Sequence, residues 1–144
     1  MAIISKTYSR ILAILLSWLG FPVILVSCVE YGAPEAMYKA KGVVVSETND
    51  APIEGIRAVL KTEQNATYGI DTIYTNNKGV FDLKSFGYYT KLYVELADVD
   101  GEKNGLFNNK DVEVDFSHVK FKGDILDGRE VENNLGIIKM ESKK

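Results

Sequence analysis

The stretch YTKLYVELA, residues 89–97, decides the fold class of this chain of 144 residues. Leu92, Val94 and Leu96 occupy alternate positions within it, and polar or amphipathic side chains stand between them. Because successive side chains of a β-strand point to opposite faces, this period of two places one face against a core and the other in solvent. The stretch therefore predicts a half-buried β-strand.

The same period recurs along the chain from residue 39 onwards. Val112, Val114 and Phe116 form a second alternating row, and Val43 and Val45 alternate in the first candidate strand. No stretch shows the period of 3.6 that a long amphipathic helix requires. We predict seven strands, at residues 39–46, 56–62, 70–75, 80–84, 89–97, 110–116 and 135–140.

Turn residues separate these strands. The sequence NNKG, residues 76–79, predicts a hairpin loop between the third and fourth strands, because Gly79 can adopt a positive φ without a Cβ clash. Residues 119–134 show no clear pattern and are predicted as a surface loop before the last strand. Each sheet of a sandwich buries one face against the other, so the chain predicts an all-β, seven-stranded antiparallel two-sheet sandwich of the immunoglobulin-like kind.

The first 27 residues follow a different pattern. Lys6 and Arg10 precede residues 11–26, ILAILLSWLGFPVILV, which carry no charge, and the small Ser27 follows. This order is typical of a secretory signal. A stable membrane span needs about 20 apolar residues, and this run is shorter and contains a proline. We therefore predict that residues 1–27 are a signal peptide that is removed.

Charge and cysteine content exclude several classes of protein. Lys6 and Arg10 are the only charged residues before Cys28, so removing them leaves 15 of the 17 Lys and Arg against 20 Asp and Glu. An acidic remainder argues against nucleic acid as a partner, because phosphates require clustered cations. A single cysteine allows no intramolecular disulfide and no thiolate zinc site.

The sequence LVSC, residues 25–28, resembles the bacterial lipobox, in which an apolar residue, a tolerant position and a small residue precede a cysteine. The resemblance implies that Cys28 carries a thioether-linked diacylglycerol and that its new amino group is acylated, so that lipid anchors the protein in the membrane of the cell envelope. The acidic Glu30 and Glu35 suggest onward sorting to the cell surface, and we expect the outer membrane rather than the inner. Two alternatives are a retained signal anchor with a buried cysteine and an ordinary secretory signal that ends beside one.

An acidic loop is the one candidate for a metal site. Asp98, Asp100, Glu102 and Asn104 stand at alternate positions, and their oxygens could converge on calcium if the loop curls. The spacing does not fit an EF-hand, because Lys103 stands where a glycine is required. The alternative is a solvated turn that joins two strands.

No residue pattern specifies a reaction. His118 is the only histidine, so a catalytic triad would depend on it, and the thiol that could serve as its nucleophile belongs to Cys28. A lone histidine after an acidic strand is usually a surface side chain. We therefore predict no catalytic residues and no cofactor other than the calcium that the acidic loop could hold.

Aromatic residues cluster between the fourth and fifth strands. The sequence FGYY, residues 86–89, with Tyr93 nearby, could present a platform for a sugar or a peptide. The alternative is that these rings close one end of the sandwich core.

Three segments resemble the carboxypeptidase regulatory-like domain, a transthyretin-like β-sandwich. They read KGVV at 41–44, PIEGIRAVL at 52–60 and TNNKGVFDL at 75–83, and the likeness covers about residues 40–97. The resemblance implies a fold and no activity.

Two further segments widen the resemblance. With Cys28, the sequences YGAPEAMY at 31–38 and DVDGEKNGLF at 98–107 resemble the radical SAM-associated lipoproteins of Gram-negative anaerobes. This likeness implies association with a radical SAM enzyme, as its modification substrate or as a companion, and implies no catalytic residues. The expected organisation is a tether at 28–38 and a sandwich domain at 39–144.

Overall fold

The computed structural model describes residues 8, 14, 35–123 and 128–143. Cys28 and nearly all of the predicted signal peptide lie outside the described residues. Pro34–Lys144 forms one compact unit. Among the residues that are described, no helix is long and apolar enough to cross a membrane.

Seven β-strands lie in the described part of the compact unit. They are β1 at Ala36–Ser46, β2 at Ile56–Lys61, β3 at Asp71–Tyr74, β4 at Val80–Gly87, β5 at Lys91–Asp98, β6 at Lys110–Asp115 and β7 at Arg129–Met140. Each overlaps a strand that the sequence predicts. The number and type of the elements are therefore confirmed.

The strands form two sheets, with the orders β4-β1-β7 and β3-β2-β5-β6. The predicted all-β, two-sheet sandwich is confirmed, with one departure from antiparallel pairing. β1 and β7 run parallel, and Ala36 lies opposite Arg129. The chain leaves β6 in one sheet, crosses to the other, and enters β7 beside the beginning of β1, which makes this pair parallel.

Three element boundaries differ from the prediction by three residues or more, and one of them is the end of β4, at Gly87 rather than at residue 84. β1 begins at Ala36, so the last three residues of the predicted tether at 28–38 belong to the sandwich. β7 begins at Arg129, so residues 129–134 are strand where a loop was predicted. The ammonium groups of Lys39 and Lys41 on β1 donate hydrogen bonds to Glu130 and Glu132 on β7, at 2.7 and 2.9 Å. Long-range pairing thus extends a strand that has no local apolar pattern.

The core lies between the sheets. Leu92, Val94 and Leu96 are fully buried, as their alternation predicts. In β1 the predicted phase is wrong for Val43, which is half-buried. The even-numbered positions of β1 face inward instead, and their buried apolar residues are Ala36, Tyr38, Ala40 and Val44. Gly42 occupies another of these inward positions and lies against the ring of Phe81 on β4.

The turn at residues 76–79 forms as predicted, but it does not close a hairpin. Gly79 has a φ of +71° and donates a hydrogen bond to the carbonyl of Asn76 at 2.8 Å. β3 and β4 on either side belong to different sheets, so the turn carries the chain across the sandwich. Val44 reinforces the crossing, because its N–H donates to the carbonyl of Gly79 at 2.8 Å.

The sandwich has two ends with different connections. We call the end where β1 and β7 begin and β4 ends the N-terminal end. It carries the connections β2–β3, β4–β5 and β6–β7. We call the end where β1 and β7 finish the distal end. It carries the connections β1–β2, β3–β4 and β5–β6. The aromatic cluster lies at the N-terminal end and the acidic loop at the distal end.

Candidate functional site

An aromatic groove of about 250 Å³ opens at the N-terminal end of the sandwich. β1, β7 and the connections after β4 and β6 supply its walls. The lining is mainly apolar and aromatic, with Thr90 and Ser117 as its small polar groups. Its residues are Tyr38, Tyr88, Tyr89, Thr90, Phe116, Ser117, Val119, Phe121 and Val131.

Three rings build the base of the aromatic groove. Tyr38 stands edge-on to Tyr89, with ring centroids 5.3 Å apart and planes at 79°. It also stands edge-on to Phe116, at 5.1 Å and 90°. Both arrangements place the positive edge of one ring against the negative face of another. Because Tyr38 is only 2% exposed, these contacts fix the base of the groove.

The predicted aromatic cluster is divided by the structure. Tyr88 and Tyr89 line the aromatic groove, and Tyr89 packs against the core. Phe86 points away from the core on β4 and is 61% exposed. Tyr93 lies on β5, where its hydroxyl approaches Glu113 at 3.4 Å. Tyr89 therefore closes one end of the core, and Tyr88 is exposed, while binding of a sugar or a peptide by these rings stays a prediction.

The sequence prediction missed Phe121. Its ring is 48% exposed, and the guanidinium carbon of Arg129 lies 5.6 Å from the ring centroid. Lys122 and Glu130 exchange two backbone hydrogen bonds of 2.8 Å, which hold this segment beside the beginning of β7. The sequence signal that could have indicated this residue is the single aromatic side chain between two cations, Lys120 and Lys122.

The acidic loop lies at the opposite end and its side chains bond to protein. Asp98 accepts the backbone N–H of Phe107 at 2.9 Å through Oδ2. Asn104 donates to Asp100 at 2.7 Å and to the carbonyl of Glu54 at 3.1 Å. These bonds fix the fold of the loop.

The four predicted calcium ligands are not gathered in one place. Asp98 Oδ1 is buried and makes no hydrogen bond to any part of the chain that is described. Glu102 is exposed. Within residues 35–123 and 128–143, no three His, Cys, Asp or Glu side chains come together as a metal-binding group. Calcium binding stays a prediction from the sequence.

His118 lies exposed beyond the end of β6. The nearby Asp115 accepts the backbone N–H of Ser117 at 2.8 Å. Hydrogen bonds from the side chain and the backbone of Ser117 lower the pKa of Asp115 below its usual value, with smaller contributions from Lys91 and His118. A carboxylate held in its charged form is a cap for the turn, which is a structural role.

The outer faces of both sheets carry ion pairs. On the four-stranded sheet, Glu95 accepts hydrogen bonds from Lys61 and, at 3.5 Å, from Arg57. The bond from Lys61 is the main reason why the pKa of Glu95 lies below its usual value. On the three-stranded sheet, a hydrogen bond from Lys41 likewise lowers the pKa of Glu132. These carboxylates link neighbouring strands.

Comparison with known proteins relates the chain to others by fold. No protein-family model matches it, and no curated protein matches its sequence. The solved structure of 3-chlorocatechol 1,2-dioxygenase from Rhodococcus opacus 1CP is 11% identical, with a TM-score of 0.53 over 80% of this chain. The match covers 63% of the dioxygenase, so this chain spans less than two thirds of that protein's length.

Two other solved structures are similar to this chain, at lower TM-scores. The major plantain pollen allergen Pla l 1 is 17% identical, with a TM-score of 0.45, covering 76% of this chain and 96% of the allergen. BcpA, the major pilin subunit of Bacillus cereus, is 12% identical, with a TM-score of 0.43, and the match covers 75% of this chain and 31% of BcpA. Identities this low imply no shared activity, and the described residues themselves form a two-sheet β-sandwich.

Proposed function

We propose that the protein is a lipid-anchored component of the cell envelope whose β-sandwich acts by binding or assembly rather than by turnover. The observation that carries the proposal is the order of the N-terminal sequence. A cationic front, an apolar run of sixteen residues and Ser27 lead into Cys28, and the folded domain begins at Ala36. The outer membrane is the proposed location.

The chemistry of Cys28 supports the anchor. A thiol is nucleophilic enough to accept a diacylglycerol group, and Ser27 is small enough for a protease to draw the extended backbone close. Each buried methylene contributes about 0.8 kcal/mol to membrane binding. One acyl chain alone binds marginally, whereas several chains anchor the protein permanently on the timescale of its function.

The arrangement of polar side chains favours binding over turnover. Glu95 and Glu132 are taken up by ion pairs between strands, and Asp98 and Asp115 by hydrogen bonds to the backbone. A catalytic acid or base needs a perturbed pKa beside a space for substrate. The aromatic groove offers instead rings and small hydroxyl groups, which suit recognition. We therefore propose no catalytic residues.

The family resemblance supports a place beside a radical SAM enzyme. In this proposal the sandwich is a companion of that enzyme or of another envelope protein. An alternative is that the polypeptide is itself a substrate that the enzyme modifies. A third is a calcium- or glycan-binding surface module, with the acidic loop or the aromatic groove as its site.

Intact mass of the protein from its native host tests the anchor and the substrate alternative together. We expect a chain that begins at Cys28 and carries the mass of three acyl chains and a glycerol. A chain that begins upstream of Cys28, or a bare thiol there, would refute the anchor. Further mass changes on residues after Cys28 would favour the substrate role, and their absence would argue against it.

Detergent partitioning of two variants provides the matched control. Cys28→Ala removes the thiol that accepts lipid, so the variant should remain unprocessed or be released from the membrane. Ser27→Ala keeps a small residue before the cysteine and should partition with the detergent phase as the native protein does. Equal partitioning of processed Cys28→Ala and native protein would contradict lipid anchoring.

A further inference from the structure

Exposed aromatic rings concentrate at the N-terminal end of the sandwich. Phe86, Tyr88 and Phe121 are 61%, 64% and 48% exposed, and Tyr68 in the β2–β3 connection is 86% exposed. In the described part of the sandwich, the only other strongly exposed ring is Tyr74 at the distal end. Large rings in water are unfavourable, so their gathering at one end indicates a surface that meets something less polar.

The chain enters the sandwich at the same end. β1 begins at Ala36, which lies opposite Gly87 of β4 and Arg129 of β7. Seven Cα-to-Cα steps separate Cys28 from Glu35, and they span at most about 25 Å when fully extended. β1 alone, with 11 residues, is about 35 Å long. An anchor at Cys28 would therefore hold the N-terminal end within about 25 Å of the bilayer, a distance shorter than β1 itself.

The side chains at the two ends of the sandwich differ, and the difference favours the N-terminal end as the one that faces the membrane. Tyrosine and other aromatic rings favour the headgroup region, where an apolar body and a polar tip are both satisfied. The cationic Lys120, Lys122 and Arg129 accompany Phe121, and cations favour anionic headgroups. The connections at the N-terminal end carry Lys120 and Lys122 against Glu63, Asp124 and Asp127. The distal connections carry Glu47, Asp50, Glu54, Asp100 and Glu102 against Lys78 and Lys103, so an anionic surface would repel the distal end more strongly.

We propose that the N-terminal end docks on the bilayer surface, with Phe86, Tyr88 and Phe121 seated among the lipid headgroups. The proposal rests on the lipid anchor proposed above, because the anchor holds the rings at the membrane and makes even weak interfacial contacts effectively intramolecular. The acidic loop then faces away from the membrane.

A single tryptophan tests the docking in the native, processed protein. Trp18 is the only tryptophan of the chain and lies in the predicted signal peptide, so Phe121→Trp would leave one tryptophan after processing. The purified lipoprotein is placed in vesicles of phosphatidylcholine and phosphatidylglycerol, with and without brominated acyl chains. Tyr88→Trp provides a second position at the same end, and Tyr74→Trp provides the control at the distal end.

We expect the emission of tryptophan at 121 and at 88 to shift to shorter wavelength in vesicles and to be quenched by brominated lipid at least about twofold more than at 74. Equal quenching at all three positions on a correctly lipidated protein would overturn the docking and leave the anchor intact. A chain without lipid on Cys28 would overturn both. A shift that follows protein concentration rather than lipid would assign this end to a second copy of the chain and overturn the docking.

Discussion

The ring of Tyr38 stands edge-on against the ring of Phe116, with centroids 5.1 Å apart and planes perpendicular. Tyr38 lies on β1 in the three-stranded sheet, and Phe116 follows β6 in the four-stranded sheet. One aromatic pair thus joins the two layers at the N-terminal end and supports the base of the aromatic groove. Its removal should loosen the sandwich and the groove together.

Replacing Tyr38 by alanine should therefore destabilise the domain severely. Because the side chain is 2% exposed, Tyr38→Ala leaves a cavity and loses two ring contacts, at a cost of about 3 to 5 kcal/mol in free energy of unfolding. Tyr88→Ala is the control, since that ring is 64% exposed and should change stability by about 0.5 kcal/mol or less. Urea denaturation measures both, and similar losses for the two variants would contradict this account.

Adding a single methyl group at Gly42 should also destabilise the sandwich. A Cβ there would lie 2.8 Å from the ring of Phe81, closer than packed carbon atoms allow, and 3.2 Å from Ile138, which is a tight contact. We expect Gly42→Ala to lower the free energy of unfolding by about 1 to 3 kcal/mol. Phe81→Leu vacates the clashing position, so the double variant should be more stable than the sum of the two single effects predicts. Additive effects would show that the ring is not the obstacle.

The ion pair between Lys61 and Glu95 should make stability depend on pH. The hydrogen bond from Lys61 holds the pKa of Glu95 below its reference value of 4.5. A lowered folded-state pKa contributes stability above the unfolded-state pKa, and the contribution is lost as pH falls through the folded-state pKa. Glu95→Gln should therefore cost about 1 to 2 kcal/mol at neutral pH, and the difference from the native protein should shrink in acid.

Glu113→Gln is the matched control for Glu95→Gln. Glu113 also accepts a hydrogen bond from a lysine, Lys91, at 2.7 Å, but both of these side chains are about half exposed. Exposed ion pairs contribute about 0 to 1 kcal/mol. Denaturant unfolding at several pH values should show the smaller effect for Glu113→Gln. A difference for Glu95→Gln that stays constant into acid would contradict the assigned cause.

Calcium should leave the unfolding temperature unchanged. Asp98 and Asp100 already accept hydrogen bonds from Phe107 and Asn104, and a calcium ion needs six to eight oxygens around it. Thermal unfolding with calcium, with magnesium and with chelator measures the effect. A calcium-specific rise in the midpoint that Asp100→Asn abolishes would establish the site that the sequence predicts.

The sequence predicted correctly those strands whose own residues alternate between apolar and polar. Leu92, Val94 and Leu96 alternate without interruption, and their strand formed with that face inward. Arg129–Met140 was predicted only in its second half, because its first half is stabilised by lysines on β1 that are distant in sequence. The aromatic groove was recognised in part, because Phe121 reaches it through the long β6–β7 connection.

The sequence by itself determined that the chain forms seven strands, which residues of β5 and β6 face inward, and that a cationic and apolar segment precedes Cys28. Tertiary structure decided that β1 and β7 run parallel, that β3 and β4 lie in different sheets, and that the exposed rings gather at one end. The physical reason is range. A period of two records which side chains avoid water within one strand, whereas the choice of neighbouring strand depends on packing between residues far apart in the chain.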